Sequence, residues 1–185
     1  SSSATIAPST PEPIEMKVVS DVSPFVEKIH ALYLQTFQRS EFRFEELTPA
    51  YFEALGNSMG ERVRYFLWYQ GERLIAFNLC MIHEATLYDL DVGMDYRVAL
   101  ELGMYFVTWR DVIRWCLENG IRTYHTGPLN YDPKLHLRLD LAPHDLYARH
   151  VSRLINPLFK VATRFLQPVR HDPILARFRN AHEME

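Results

Sequence analysis

A strand, a long helix and a second strand follow one another between Ala85 and Gly127, and this order constrains the fold more than any other feature. Residues 85–93 alternate polar and apolar side chains, which predicts a strand with one polar face. Strict alternation places on one side Leu87, Asp89 and Asp91. From about Leu100 to Asn119, apolar residues recur at three- and four-residue steps, which predicts an amphipathic helix that Gly120 ends.

Residues 121–126 predict a second strand, which Gly127-Pro128 stops. The whole segment is therefore a βαβ unit, in which we expect parallel strands and a right-handed crossover. Ligands of such units lie beyond the C-terminal ends of the strands, here around residues 92–97 and 126–134.

Upstream of this unit the sequence predicts a strand, two helices and a hairpin. A strand is expected at 16–20 and is followed by a helix with Pro24 in an early position. Its buried stripe is predicted to be Phe25, Ile29, Leu32, Tyr33 and Phe37. A shorter helix is expected from Thr48-Pro49 to about Leu55. Aromatic and β-branched residues at 62–70 and 73–83 flank a Gly-Glu turn, which is typical of a β-hairpin. The fold class is thus α/β with a mixed sheet: three antiparallel strands, a β-α-β unit and a C-terminal helix.

The C-terminal part has a weaker pattern and a basic bias. Residues 143–151 have strand-like aromatic content, and 152–165 have helical spacing, with Pro157 either in the first turn or interrupting the helix. The sequence from Arg149 to Arg179 contains seven basic residues and one acidic residue, Asp172. Such a segment suits an amphipathic helix on an anionic membrane or a tRNA backbone, and equally a helix packed on the acidic body of the domain.

Length and composition limit the number of domains, the partners and the location that we expect. With 185 residues, the chain fits one domain over 16–185, after a Ser-, Pro- and Thr-rich tail or linker at 1–15. A net charge of −3 gives no overall attraction to nucleic acid, and we expect no DNA partner. Cys80 and Cys116 lie in apolar patterns, which indicates buried thiols in a reducing compartment. Without a signal-peptide pattern or a membrane-length apolar run, we expect a cytoplasmic protein.

The order of elements resembles the GNAT acyltransferase fold. The segment Tyr88–Tyr147, with Trp-Cys-Leu-Glu-Asn-Gly at 115–120 and Thr-Gly-Pro-Leu-Asn-Tyr-Asp-Pro-Lys at 126–134, is similar to the FemAB-like and BioF2-like branch of that superfamily. In that branch, a glycine ends the strand after the long helix and a basic residue follows in the loop, matching Gly127 and Lys134. The resemblance implies acyl transfer to an amine.

The donor cannot be read directly from this resemblance. Most GNAT enzymes carry Q/R-x-x-G-x-G/A before the long helix, where backbone N–H groups surround a pyrophosphate. The corresponding stretch, Gly93 to Gly103, lacks that spacing. The resemblance therefore leaves three donors open: acyl-CoA, an acyl carrier protein and aminoacyl-tRNA.

Acyl transfer requires a base for the nucleophile and an acid for the leaving group. Asp89 and Asp91, if they share a cleft, repel each other, and this would raise the pKa of one of them toward that of a useful base. His125, one step from the end of the second strand with Tyr124 and Thr126 pointing to the opposite side, carries an imidazole that could also serve as base. Tyr131 is placed like the general acid of many GNAT enzymes. The structural alternatives are surface carboxylates, a core histidine and an aromatic side chain that only packs.

Basic residues near the same strand ends are candidates for donor or substrate binding. Lys134, His136 and Arg138 alternate in a row, and we expect Arg97 across the gap between the strands. The predicted binding set is Arg97, Asn130, Lys134, His136, Arg138 and His144. The row could equally be a solvated face. The histidines show no metal-ligand spacing with carboxylates, so no metal is predicted.

Two functions from different classes follow. The first is an N-acyltransferase moving an acyl or aminoacyl group from a thioester or tRNA ester to a small amine, with Asp91 or His125 as base and Tyr131 as acid. The second is a catalytically silent GNAT-like module, half of a tandem protein, that binds a partner or substrate.

Overall fold

The computed structural model describes residues 12–41, 43, 45–128, 130–143, 149–163, 165 and 171–184. The chain divides into two compact units, residues 1–127 and 128–185, each with its own internal packing.

A single sheet organises the first unit. Over the described residues of that unit it has five strands: β1 (Ile14–Val19), β2 (Val63–Gln70), β3 (Arg73–His83), β4 (Thr86–Met94) and β5 (Thr123–Thr126). They lie side by side in chain order. Neighbours are antiparallel except β4 and β5, which are parallel. The predicted hairpin and the parallel pair flanking the long helix are both confirmed.

Helices cover both faces of this sheet. On one face, α1 (Val26–Arg39) and α2 (Pro49–Met59) pack around Phe52 and Phe77. On the other face, α3 (Met104–Glu118) packs around a cluster that includes Trp68. The two clusters take alternate residues of β2, as the two-residue period of a strand requires. In β3 the alternation is interrupted at Ile75 and Ala76, which both belong to the cluster under α3, where the register with β2 shifts. The indole N–H of Trp68 also donates to Asp111 of α3, 2.9 Å from its Oδ2 atom.

The second helix is longer than its sequence predicts. Thr48 caps it, accepting a hydrogen bond from the Tyr51 N–H at 3.3 Å, and Pro49 occupies the first turn as expected. The prediction that it ends near Leu55 is wrong, because the helix continues through Gly56 to Met59. At Gly56 a Cβ atom would lie 2.6 Å from the Ser20 carbonyl oxygen, so glycine allows the helix to approach the end of β1.

The second unit contains short helices. Tyr131–His136 forms α4, where a loop was expected, and Asn156–Thr163 forms α5. Pro157 lies in the first turn of α5 and does not interrupt it. The strand expected at 143–151 is only partly described, since residues 144–148 lie outside the described residues, and the described positions around them are not in a strand.

Candidate active site

An irregularity in β4 decides which side chains can meet. Opposite β3, Cys80 pairs with Asp89 and Leu79 pairs with Asp91, so Leu90 is an extra residue that forms a β-bulge. Residues paired across strands share a face. Leu79 belongs to the cluster under α1 and α2, whereas Cys80 belongs to the cluster under α3. Asp91 therefore faces α1 and α2 and Asp89 faces α3, so the predicted shared face is wrong.

Asp91 lies in an environment that favours its protonated form. Burial is the largest cause, and the negative charges of Asp89 and Glu45 add to it, together raising the pKa of Asp91 from 3.8 to about 6. The predicted repulsion between the two aspartates is thus present, but burial dominates. A carboxyl group with this pKa is largely ionised at neutral pH and can accept a proton.

Tyrosines surround this carboxylate on the α1 and α2 side. Burial, followed by the charge of Asp91 among others, raises the pKa of the Tyr51 and Tyr65 hydroxyls. Tyr65 is fully buried and donates to the Phe52 carbonyl oxygen at 2.7 Å. Both hydroxyls stay protonated near neutral pH. The O–H of Tyr65 is used by the Phe52 carbonyl oxygen, whereas the O–H of Tyr51 can donate on the side of Asp91.

Tyr33 connects this group to the segment before α2. Its hydroxyl donates to the carbonyl oxygen of Glu45 and accepts from the N–H of Leu47, both at 3.2 Å. The Tyr33 ring packs edge-on against Phe52, with 5.5 Å between ring centres. Tyr33 thereby fixes the backbone of 45–47 near Asp91. The sequence placed Tyr33 only in a buried helical stripe, and no local signal indicated these contacts.

The opposite face of β4 carries a second polar pair. The Tyr124 hydroxyl donates to Asp89 Oδ2 at 2.5 Å. Burial and the negative charge of Asp89 raise the pKa of Tyr124 well above its usual range, so it remains a donor. Asp89 is therefore held in a structural hydrogen bond on the α3 side, apart from the side chains around Asp91.

His125 lies on the same face as Asp91. It pairs with Tyr88, whose ring centre is 5.4 Å from that of His125, while Tyr124 and Thr126 pair with residues on the α3 side. Tyr88 in turn pairs with Met81, which packs against the α1 and α2 cluster. The predicted direction of His125 is confirmed, and its catalytic role stays a prediction.

The pairing of β4 with β5 ends beside the bulge. The β4–β5 ladder runs from Thr86–Thr123 to Asp89–Thr126, where β5 ends, whereas β4 itself continues to Met94. The edge of β4 from 90 to 94 thus lies beyond the ladder. An extended ligand with amide groups could pair with a strand edge of this kind. Asp91 lies on this stretch, two residues beyond the last pair of the ladder.

In the loop after β4, backbone N–H groups donate hydrogen bonds within the loop itself. Those of Val98 and Ala99 donate to the Asp95 carbonyl oxygen at 3.1 and 2.9 Å. The N–H groups of 102–104 are also engaged, and the Met104 N–H reaches the Ala99 carbonyl oxygen at 2.9 Å. These amides are not free to surround a pyrophosphate, so the loop does not fit that mode of binding.

A buried carboxylate stands beside this loop. Asp95, 2% exposed, accepts from Arg97 Nε and Nη2 at 2.9 Å and from Arg73. The hydrogen bond from the Arg97 guanidinium is the main reason that the pKa of Asp95 lies well below its usual range. The Arg97 side chain is 77% exposed, so it can still offer positive charge to an anionic ligand.

The remaining predicted binding residues belong to the second unit. Tyr131 packs edge-on against Phe178, and Lys134, 8% exposed, places Nζ 5.7 Å from the centre of the Tyr131 ring. His136 is exposed, with Nδ1 2.8 Å from the Asp132 carbonyl oxygen.

The predicted alternating basic row is wrong, because 131–136 is helical and residues two apart on a helix lie on opposite sides. Arg138 follows the helix with a left-handed backbone, φ 57°, and is exposed. Asn130 precedes the helix with φ 54°. His144 lies outside the described residues. The binding roles of this set stay predictions.

Comparisons with known proteins identify the family. The sequence model described as "Acetyltransferase (GNAT) domain" matches residues 12–135. The chain belongs to this family. The GNAT match covers the whole sheet of the first unit and extends through most of α4. The chain therefore carries an N-acyltransferase domain, as the resemblance implied, while the FemAB-like branch stays a prediction.

Solved structures show the same fold at low identity. A possible acetyltransferase from Clostridium difficile 630 is 11% identical, with a TM-score of 0.58 over 76% of this chain and 99% of that chain. An aminoglycoside acetyltransferase from an uncultured soil metagenomic sample, in complex with sisomicin, is 12% identical, with a TM-score of 0.52 over 74% and 97%. A Vibrio cholerae integron cassette protein is 12% identical, with a TM-score of 0.52 over 80% and 98%. No curated protein has a significantly similar sequence.

Two further observations concern the described part of the chain. It contains no group of three or more His, Cys, Asp or Glu residues arranged to hold a metal ion. None of its helices has the length and apolar character needed to cross a bilayer.

Proposed function

We propose that this GNAT domain transfers an acyl group from a thioester, with acyl-CoA as the first candidate, to a primary amine, and that Asp91 is the general base. The observation that carries the proposal is the position of Asp91: next to a bulge, on the side of the buried tyrosines, with a pKa near 6, just beyond the last β4–β5 pair. An amine and a thioester meeting there would have a proton acceptor beside them.

The reaction needs one proton to leave the amine and one to reach the thiolate. The amine nitrogen attacks the thioester carbonyl carbon, and Asp91 takes the nitrogen proton as the carbon–nitrogen bond forms. The carbon–sulfur bond then breaks, and the thiolate takes up a proton. His125, on the same face as Asp91, is the alternative base, and the acid role that the resemblance implies for Tyr131 stays a separate prediction.

The donor would be bound differently from the usual mode, in which backbone N–H groups surround its pyrophosphate. The edge of β4 at 90–94 offers pairing to the amides of an extended thioester arm. The exposed Arg97 offers a guanidinium to its phosphates. An acyl carrier protein and aminoacyl-tRNA are the competing donors.

Turnover of acetyl-CoA with a panel of primary amines tests the proposal, with thiol release as the readout. Asp91→Asn should lower kcat by roughly 10²–10⁴-fold, the usual contribution of a positioned base. In the parent protein, kcat/KM should fall as the pH drops through about 6, because protonated Asp91 cannot accept a proton. Asp89→Asn is the matched control, since its carboxylate faces α3, and it should retain most of the activity.

If Asp91→Asn keeps full activity and the same pH profile, Asp91 is not the base.

A specific observation favours the second candidate function, the silent binding module: the N–H groups of the β4–α3 loop are already hydrogen-bonded within the loop. A thermal-shift comparison of acetyl-CoA with acyl carrier protein and aminoacyl-tRNA separates the two. A ligand at 100 times its Kd stabilises by about 2.7 kcal/mol. Binding without turnover of any donor would favour the silent module.

A further inference from the structure

Helix α5 and the turns beside it expose a stripe of apolar side chains. Leu158 and Val161 on the helix are 72% and 55% exposed. The same spacing of three and four residues continues through the flanking turns at Val151, Leu154 and Phe165, which are 97%, 92% and 69% exposed. Five large apolar side chains with one helical spacing thus contact solvent.

The opposite side of the helix is polar and basic. Lys160 is two residues from Leu158, which places it across the helix from the apolar stripe, and Asn156 and Thr163 lie on its side. The surrounding sequence carries no opposing charge. Between Asp145 and Asp172 there is no acid and there are five basic residues, Arg149, Arg153, Lys160, Arg164 and Arg170. An apolar stripe backed by Lys and Arg is the layout of a helix that lies in a membrane interface.

We propose that residues 149–163, together with Phe165, form a peripheral binding surface for an anionic lipid bilayer. The apolar stripe would enter the boundary between headgroups and acyl chains, and the basic side chains would extend to the lipid phosphates. This proposal does not depend on the proposed reaction.

The charge and the apolar stripe of this surface argue against three other binding partners: a second copy of the segment, residues 1–11 and a nucleic acid. A second copy of the segment would bring two basic surfaces together. Residues 1–11 contain one large apolar side chain, Ile6, and no acid, so they match neither the stripe nor its charge. A nucleic acid would satisfy the basic residues but offers no apolar surface to four aliphatic side chains. An anionic bilayer satisfies both requirements.

Flotation of the full-length chain with vesicles tests this surface. The chain should bind vesicles of phosphatidylcholine mixed with phosphatidylserine more strongly than vesicles of phosphatidylcholine alone. Raising the salt from about 0.1 M to about 1 M should weaken binding, because the screening length falls from about 10 Å to about 3 Å. Lys160→Gln should weaken it roughly fivefold, the effect of one charge at such a surface.

The apolar stripe is tested by Leu158→Ser, which should weaken vesicle binding roughly tenfold, corresponding to about 1.4 kcal/mol of lost burial. Leu117→Ser on α3 is the matched control: that leucine is 76% exposed and should be neutral. Unchanged thermal melts establish that both variants fold. Three results would overturn the proposal: no binding to either vesicle, equal binding by the Leu158 and Leu117 variants, or a salt-sensitive complex with tRNA but not with vesicles.

Discussion

The carboxyl group of Asp91 titrates about two pKa units above its ordinary value because burial disfavours its charged form. The folded chain therefore binds more protons than the unfolded chain between pH 3.8 and about 6. Stability contributed by this group is highest below that window and declines as the pH rises through it. At 1.36 kcal/mol per unit, the cost of the ionised carboxylate above pH 6 is roughly 2–3 kcal/mol.

This cost predicts that Asp91→Asn, although inactive, is more stable than the parent chain near neutral pH. Urea unfolding should show a gain of up to roughly 2–3 kcal/mol above about pH 7 and little gain below about pH 4. Equal effects at both pH values would mean that the substitution acts through packing and not through the charge.

Tyr124 offers a second prediction at this scale. Tyr124→Phe removes the hydroxyl that donates to Asp89 in a half-buried setting, and should lower the free energy of unfolding by roughly 1–3 kcal/mol. Tyr88→Phe, at a side chain 37% exposed on the neighbouring β4 position, should change it by less than about 0.5 kcal/mol. Denaturant midpoints of the two variants measure the difference, and equal midpoints would contradict a structural role for the Tyr124 bond.

Candidate site residues can be selected from the sequence where the signal is local. Asp91 and His125 stand out because polar side chains on otherwise buried strands are unusual, and their catalytic roles stay predictions. Tyr33 and Glu45 do not stand out, since their proximity to Asp91 depends on how α1 packs across β4, and no short motif encodes that packing. The opposite directions of Asp89 and Asp91 depend on the single extra residue Leu90, which carries no glycine or proline signal.

At the scale of elements, α1 packs against β4 at one closely approached position. A Cβ atom on Gly93 would lie 2.4 Å from Phe77 Cε1 and 2.6 Å from the backbone N atom of Tyr33. The helix backbone cannot yield as a flexible side chain can. Glycine at 93 is therefore what lets α1 bring Tyr33 to the side of Asp91.

Gly93→Ala is predicted to lower the free energy of unfolding by roughly 1–3 kcal/mol, the range for overpacked cores. Gly127→Ala is its control, because the added Cβ would lie 3.6 Å from the Asp89 carbonyl oxygen, an ordinary contact. Chemical denaturation compares the two variants. A Gly93 variant as stable as the control would show that α1 shifts away at little cost.

Elements with a repeated pattern were predicted well from the sequence. The hairpin and α3 each carry a period sustained over many residues, and the parallel pairing of β4 with β5 follows from their connection through α3. The short helix α4 was expected to be a loop. Its six residues, Tyr131–His136, are too few to show a helical period.

At the scale of the whole molecule, the large apolar clusters of the sheet belong to the first unit. The residues of both clusters lie between Ile14 and Tyr124. A fragment of residues 12–127 should therefore fold by itself and unfold in one cooperative transition. Far-UV circular dichroism with a thermal melt checks this, and a broad, non-cooperative melt would mean that the sheet needs residues beyond 127.

The bulge at Leu90 also determines how the chain would respond to a change in length. Asp89 and Asp91 already lie on opposite faces of the sheet, so removing the one residue between them would restore strict alternation along β4 and keep both carboxylates on their present faces. Removing a regularly paired residue such as Val92 would instead force either Asp91 or Gly93 off the side of α1. A single-codon deletion at 90 would thus leave the reactive group in place, whereas the same deletion two positions later would disrupt it.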